Sequence, residues 1–167
     1  MENKSTAIAL TMNKEHFYKL TVQWTGNTGN GTLNYRTYER THTVSADSKE
    51  TILASADPAF RGDKTKYNPE ELLLASLSGC HMLWFLHLCA ENGVIVTDYT
   101  DNPTGIMEET DNGGGKFKEV TLNPIVTVTN LNTLSKLDDL HKKANELCFI
   151  ANSVNFIVKH NPTGKTI

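Results

Sequence analysis

Apolar and polar residues alternate along the N-terminal part of the chain, which is the pattern of a half-buried β-strand. Residues 16–24 place four apolar side chains on one face, namely Tyr18, Leu20, Val22 and Trp24. Residues 25–31 contain three glycines and two asparagines, which suit a turn, and residues 32–44 are rich in Tyr and Thr. We therefore predict an N-terminal β-hairpin. The polar residues 45–67 keep no sustained period and are predicted to form a long loop.

The middle of the chain predicts a long helix. It begins at Asn68-Pro69-Glu70-Glu71, because asparagine caps free amides, proline suits the first helical position and acidic residues favour the helix dipole. The helix should run to about Asn92, where Gly93 can end it. Residues 72–90 carry no charge, close to the ~20 residues of a membrane span. Their serines and histidines and the acidic flanks instead favour a helix buried inside a protein.

The second half of the chain predicts further strands and one more helix. Residues 94–99 and 117–129 have the composition of strands, the latter interrupted by Pro124, and a glycine-rich turn lies between them. Apolar residues at helical spacing over residues 137–151 predict an amphipathic helix. Ser135 and Asp138 are its expected capping box.

The chain is expected to end in a short strand. Val154, Phe156 and Val158 alternate with polar residues, and a loose tail is predicted from Pro162. The element order is then ββαββαβ, without internal repeats or a linker. We therefore predict a single α+β domain that covers residues 1–167.

Composition narrows the class of protein. Of the 167 residues, 38 % are hydrophobic and 21 % are charged, and the net charge is −3. This balance gives no electrostatic reason to expect a nucleic-acid or membrane partner. The three cysteines are too few and too widely spaced for a disulfide scaffold, and the N-terminus has no signal-peptide pattern. A cytoplasmic location is therefore expected.

The cysteines are the first candidates for chemistry, although an inert core position is the common fate of a free cysteine. Cys80 and Cys89 lie on opposite sides of one helix, about 13 Å apart along its axis, so they cannot form a disulfide. Cys148 belongs to the other predicted helix, and its pairing with Cys80 is geometrically open.

Other uses of these residue types are disfavoured by spacing. The helix has no CxxC motif and no histidine pair at i, i+4, so no metal site is expected. His81 is rotated about 100° from Cys80, which argues against a Cys-His hydrolase. Each histidine is expected to be a hydrogen-bonded core residue or a surface residue.

Two motifs resemble the OsmC/Ohr family of thiol peroxidases. The first is Asn-Pro-Glu-Glu-Leu-Leu-Leu-Ala-Ser-Leu-Ser-Gly-Cys-His at residues 68–81, and the second is Glu-Leu-Cys-Phe-Ile-Ala-Asn-Ser-Val-Asn-Phe at residues 146–156. The chain resembles the OsmC-like branch most. The resemblance implies an OsmC-like fold and an intertwined homodimer that reduces organic hydroperoxides and, less well, hydrogen peroxide. The reaction that the resemblance implies needs no cofactor.

The resemblance also implies the roles of individual residues. Cys80 would be the peroxidatic thiolate, Cys148 the resolving thiol, and Glu70 the carboxylate that holds an arginine. An external dithiol would then reduce the Cys80–Cys148 disulfide. The family's arginine commonly precedes a Gly-x-Gly, but here Thr28 precedes Gly29-Asn30-Gly31.

A cation is nevertheless needed, because a thiolate in the middle of a helix gains little from the helix dipole. The chain has three arginines, of which Arg36 is the first candidate, Arg61 the second and Arg40 the remaining one. The alternative is a non-catalytic dimer that binds a small hydrophobic ligand in the same cleft. Glu70 and Cys80 are about 15 Å apart along one straight helix. Either the helix breaks near Ser78-Gly79, or Glu70 serves the Cys80 of a partner subunit, and we expect the partner.

Overall fold

The structure is a computed structural model that describes residues 14–167. These residues form two α-helices and nine short strands. In chain order the strands and helices are β1 (Thr21–Trp24), β2 (His42–Ser45), β3 (Ile52–Ala54), α1 (Pro69–Glu91), β4 (Val96–Asp101), β5 (Thr104–Glu109), β6 (Gly115–Leu122), β7 (Pro124–Val128), α2 (Leu137–Leu147), β8 (Ile157–His160) and β9 (Thr163–Thr166). Short 3-10 helices cover Pro58–Phe60, Leu131–Lys136 and Ala151–Ser153. The predicted α+β class and its long central helix are confirmed.

The strands form three sheets of three strands each. Antiparallel pairing joins β1, β2 and β3 in that order. The second sheet has the order β4-β7-β9 and the third has the order β5-β6-β8. In both of these sheets the C-terminal strand pairs in parallel, β9 with β7 and β8 with β6.

The start of α1 agrees with its sequence signals. Asn68 accepts a hydrogen bond from the Glu71 N–H (2.8 Å), and the Glu71 carboxylate accepts one from the Asn68 N–H (3.0 Å). These reciprocal bonds form a capping box, which satisfies two otherwise free amides. Gly93 follows the helix with a φ of 66°, the left-handed conformation that glycine adopts without strain. The predicted helix and its cap are confirmed.

Five local predictions differ from the structure. Residues 45–67 contain strand β3 rather than only loop, and most of residues 32–41 form turns rather than a strand. The Ser135–Asp138 capping box is absent, because Ser135 lies in a 3-10 helix and α2 begins after Lys136 without a side-chain cap. The predicted loose tail contains β9, because parallel pairing with β7 orders it. The second helix ends at Leu147, so Cys148 follows it.

The main core lies where α1 packs against α2 and the β4-β7-β9 sheet. Its buried members include Phe85, Leu88, Cys89, Val126, Val128 and Ala144. A smaller cluster joins Leu77 to β6. Burial drives both clusters, at about 25 cal/mol per Å² of apolar surface.

Large apolar surfaces lie outside these clusters. Among residues 14–167, α1 is the one helix long and apolar enough to cross a membrane, and only 28 % of its most apolar window is buried. The helix that the sequence places inside a protein is therefore only partly buried in the isolated chain. Leu83 on α1 is 65 % exposed and Val22 on β1 is 61 % exposed. Large apolar side chains exposed on α1 and β1 are candidates for burial in an interface.

Candidate functional site

Two thiols meet where α1 contacts the end of α2. Cys80 is partly exposed on α1, and Cys148 is buried directly after the last residue of α2. Burial and a side-chain hydrogen bond with Cys80 raise the pKa of Cys148 to about 11. The Cys148 thiol is therefore protonated at neutral pH and can donate to the Cys80 sulfur.

The end of α2 fixes the position of Cys148. The backbone leaves the helical conformation at this residue, with φ −67° and ψ 111°. The Ala151 N–H donates to Cys148 Sγ (3.4 Å), and the Asn152 N–H donates to the Cys148 carbonyl (3.0 Å). The short turn after α2 thus holds the thiol against α1.

Cys89 is separate from this pair. It is buried in the main core, and burial raises its pKa to about 11. A buried thiol without a cation has little thiolate character, so Cys89 is suited to packing rather than to chemistry.

Glu70 belongs to a second part of the candidate site, a cavity beside the start of α1. It lies in the first turn of α1 and lines a cavity of about 300 Å³ whose walls are mainly apolar. The cavity is lined by Trp24, Tyr38, Arg40, His42, Ser55, Ala56, Asp57, Phe60, Pro69 and Glu70. Glu70 Oε2 is buried and has no hydrogen-bond partner among residues 14–167. A buried acceptor without a partner is costly, which favours a ligand or a second side chain at this point.

Of the three arginines, Arg40 is the one that lines the Glu70 cavity. Its guanidinium carbon lies 4.2 Å from the ring centroids of both Tyr35 and Tyr38. Arg36 is exposed in the turn region, where its backbone N–H donates to Asn34 (2.9 Å). Arg61 lies at the end of the 3-10 helix Pro58–Phe60, 6.0 Å from the Tyr35 ring.

The thiol pair and the Glu70 cavity are not one site within a single chain. Cys80 does not line that cavity. The helix that carries both residues is continuous from Pro69 to Glu91, so ten residues at about 1.5 Å rise separate them by about 15 Å. No break occurs near Ser78-Gly79, which was the other way to bring Glu70 and Cys80 together.

Three histidines form a cluster that the sequence did not predict. His81 Nε2 and His141 Nδ1 share a hydrogen bond of 2.9 Å, and the rings of His81 and His160 stack with centroids 5.0 Å apart. Burial lowers the pKa of His81 to about 4 and that of His141 to about 3, and it also lowers the pKa of His160. All three are neutral at physiological pH. They come from α1, α2 and β8, so only tertiary structure unites them.

No metal centre is formed by the described part of the chain. Residues 14–167 contain no group of three or more His, Cys, Asp or Glu side chains placed to hold a metal ion.

Comparison with known proteins identifies the class to which this fold and thiol pair belong. A family model described as OsmC-like protein matches residues 62–162. An OsmC-like protein of unknown function from Vibrio cholerae has 34 % sequence identity and a TM-score of 0.80, over 89 % of this chain and 99 % of that one. The chain belongs to the OsmC-like family. The predicted resemblance and fold are therefore confirmed.

More distant structures share the fold. An OsmC-like protein from Mycoplasma pneumoniae has 18 % identity and a TM-score of 0.68, over 92 % of this chain and 99 % of that one. An organic hydroperoxide resistance protein from Elizabethkingia anophelis has 18 % identity and a TM-score of 0.63, over 92 % of this chain and 100 % of that one. No protein of curated function matches the chain.

Proposed function

We propose that this protein is a cysteine-based peroxidase that reduces organic hydroperoxides. The observation that carries the proposal is the juxtaposition of the Cys80 and Cys148 thiols, which lie close enough to interact through their side chains. This arrangement supplies the two parts that a dithiol peroxidase needs, a nucleophilic sulfur and a thiol within reach of it. Membership of the OsmC-like family supports the same reaction class.

The proposed reaction has three balanced steps. The Cys80 thiolate attacks one peroxide oxygen, the O–O bond breaks, and the departing alkoxide takes up a proton and leaves as the alcohol. The resulting Cys80 sulfenic acid condenses with the Cys148 thiol, which forms the disulfide and releases water. An external dithiol then reduces this disulfide and is itself oxidised. We place this cycle in the cytoplasm, where such reductants keep thiols reduced.

We assign Arg40 the role of the activating cation, in place of Arg36. Arg40 shares a cavity with Glu70, whereas Arg36 lies outside it. A guanidinium has five N–H donors and can bridge a carboxylate and a second anion. Glu70 Oε2 needs a donor. The cavity between the two side chains has room for the head of a hydroperoxide, which can donate to a carboxylate and accept from a guanidinium.

A homodimer would bring the two parts of the site together. Within one chain, Glu70 is about 15 Å from Cys80 along α1. The exposed apolar faces of α1 and of the β1-β2-β3 sheet support association with a second copy. In the proposed dimer, Arg40 and Glu70 of one subunit face the thiol pair of its partner.

Thiol counting during peroxide addition tests the proposed activity. We expect cumene hydroperoxide to remove two thiols per chain rapidly from the reduced protein and to yield the Cys80–Cys148 disulfide. Cys89→Ser is the matched control and should leave peroxide turnover intact, whereas Cys80→Ser should abolish it. Persistence of all three thiols would refute the peroxidase and favour the alternative, a dimer that binds a small hydrophobic ligand.

The arginine assignment has its own test. We expect Arg40→Ala to lower kcat/KM for cumene hydroperoxide by about 100-fold, the loss typical of a removed electrostatic stabiliser. Arg36→Ala should stay within about twofold of wild type, because a solvated side chain away from the site contributes little. The reverse pattern would return the role to Arg36.

A further inference from the structure

The side chain of Arg40 is held by two tyrosines, each through its ring and through its backbone. The guanidinium carbon lies 4.2 Å from the centroid of the Tyr35 ring and 4.2 Å from that of the Tyr38 ring. Arg40 Nη2 donates to the Tyr35 carbonyl (2.7 Å), and Nη1 donates to the Tyr38 carbonyl. Ring contacts restrain the guanidinium along its normal and the hydrogen bonds restrain it within its plane.

Each tyrosine is in turn anchored to a different segment. The Tyr35 hydroxyl donates to the Phe60 carbonyl (3.4 Å), and the Arg61 guanidinium carbon lies 6.0 Å from the centroid of the Tyr35 ring. The Tyr38 ring packs edge-on against Trp24, with centroids 5.9 Å apart. The turn that carries the tyrosines is thereby tied to strand β1 on one side and to the 3-10 helix Pro58–Phe60 on the other.

The two backbone hydrogen bonds leave donors to spare. A guanidinium carries five N–H groups, so three remain for a ligand or for Glu70 in the shared cavity. A free arginine side chain loses considerable rotamer freedom when it is fixed. Here that ordering is complete before any ligand arrives, and such preorganisation makes an electrostatic contact more effective.

We propose that Tyr35 and Tyr38 are positioning residues that hold the Arg40 guanidinium for the reaction at Cys80. This inference rests on the proposed function, in which Arg40 stabilises the Cys80 thiolate. The tyrosines act through Arg40, so removing a ring should change the reactivity of a sulfur that the ring itself does not touch.

The test measures alkylation of Cys80 by iodoacetamide as a function of pH, together with kcat/KM for cumene hydroperoxide, in the full-length protein. For Tyr35→Leu and Tyr38→Leu we expect the midpoint of the Cys80 alkylation profile to move up by about half a pH unit to one unit, as expected when a nearby cation is displaced. We expect kcat/KM to fall about tenfold. Tyr38→Phe keeps the ring that contacts the guanidinium, so it should restore both readouts to within about twofold of wild type.

Two controls separate positioning from general disruption. Tyr67→Leu, at an exposed tyrosine outside this stack, should leave the alkylation profile unchanged. Arg40→Ala combined with Tyr35→Leu should behave as Arg40→Ala alone, because a positioning residue has no effect once its target is gone. If Tyr35→Leu fails to fold, Tyr35→Gln gives the same readout, since this position is 56 % exposed and tolerates a polar side chain.

The outcomes distinguish this inference from the function on which it rests. If Arg40→Ala shifts the Cys80 profile and the leucine variants do not, the positioning role is overturned while the peroxidase stands. If the wild-type protein does not reduce cumene hydroperoxide but the leucine variants still shift the Cys80 alkylation profile, the positioning role stands and the proposed peroxidase activity is refuted. If the single and double variants are additive, the tyrosines act independently of Arg40 and the inference is wrong.

Discussion

Mild acid should destabilise this protein through its buried histidines. Imidazole in an unfolded chain has a pKa near 6.5, whereas burial lowers that of His81 to about 4 and that of His141 to about 3. Between these values the unfolded state binds more protons than the folded state. The free energy of unfolding therefore falls as the pH drops below about 6.5, and it continues to fall down to about 4.

The size of the effect follows from linkage. Each histidine that protonates only on unfolding contributes about 1.4 kcal/mol per pH unit once the pH is well below 6.5. Integrated from pH 8 to pH 5, the loss is about 2 kcal/mol per residue and about 4 kcal/mol for His81 and His141 together. His160, whose pKa is also lowered by burial, adds a loss of the same sign. Total stabilities of about 5–15 kcal/mol make such a loss easy to measure.

Urea unfolding at several pH values from 8 to 5 and one fixed protein concentration measures this loss. His141→Asn removes one titrating ring while its amide can still hydrogen-bond to His81, so the slope between pH 6 and 5 should decrease by about 1.2 kcal/mol per unit. His87→Asn, at an exposed histidine near Glu91, is the matched control and should keep the wild-type slope. Equal slopes for wild type and His141→Asn would refute the reasoning.

Three further predictions follow from the site and its helix. In the presence of the dithiol that sustains wild-type turnover, Cys148→Ser should consume one equivalent of peroxide and then stop, because its Cys80 sulfenic acid has no partner thiol; turnover at the wild-type rate would remove Cys148 from the mechanism. A mixed dimer of one Glu70→Gln chain and one Cys80→Ser chain should keep about half of wild-type activity if Glu70 serves the partner subunit, since one site carries both defects and the other is intact. Near-complete loss would show that Glu70 acts within its own chain. Asn68→Ala should lower the free energy of unfolding in urea by about 1 kcal/mol through loss of the capping box, and an unchanged value would contradict that account.

Local signals explain which parts of the fold were predictable. The start of α1 is encoded in four consecutive residues, and the structure forms the expected cap at Asn68. Strand β9 has no such signal, because Thr163–Thr166 becomes a strand only through pairing with β7, nearly forty residues earlier in the chain. The capping box expected at Ser135 does not form, because a 3-10 helix occupies that segment.

The candidate site shows the same division. The motif around Cys80 and the helical spacing before Cys148 identified both cysteines as candidates from the sequence alone. The structure brings these two residues together. The sequence could not predict which arginine lies near Glu70. Arg40 lines the cavity because of the path that the chain takes between β1 and β2, and no local sequence signal specifies that path. The histidine cluster was also hidden, since His81 and His141 are 60 residues apart.

The parallel pairing of β8 with β6 and of β9 with β7 has a consequence for synthesis of the chain on the ribosome. Residues 157–166 supply the last strand of two sheets at once, so neither sheet is complete until this segment has left the exit tunnel. Pairings between distant segments also form slowly. Cys80 and Cys89 are translated well before Cys148, and during that interval the nascent chain carries both thiols without the core that later buries one of them. The thiols of a nascent chain should therefore be most vulnerable to oxidation until residues 157–166 have emerged and paired.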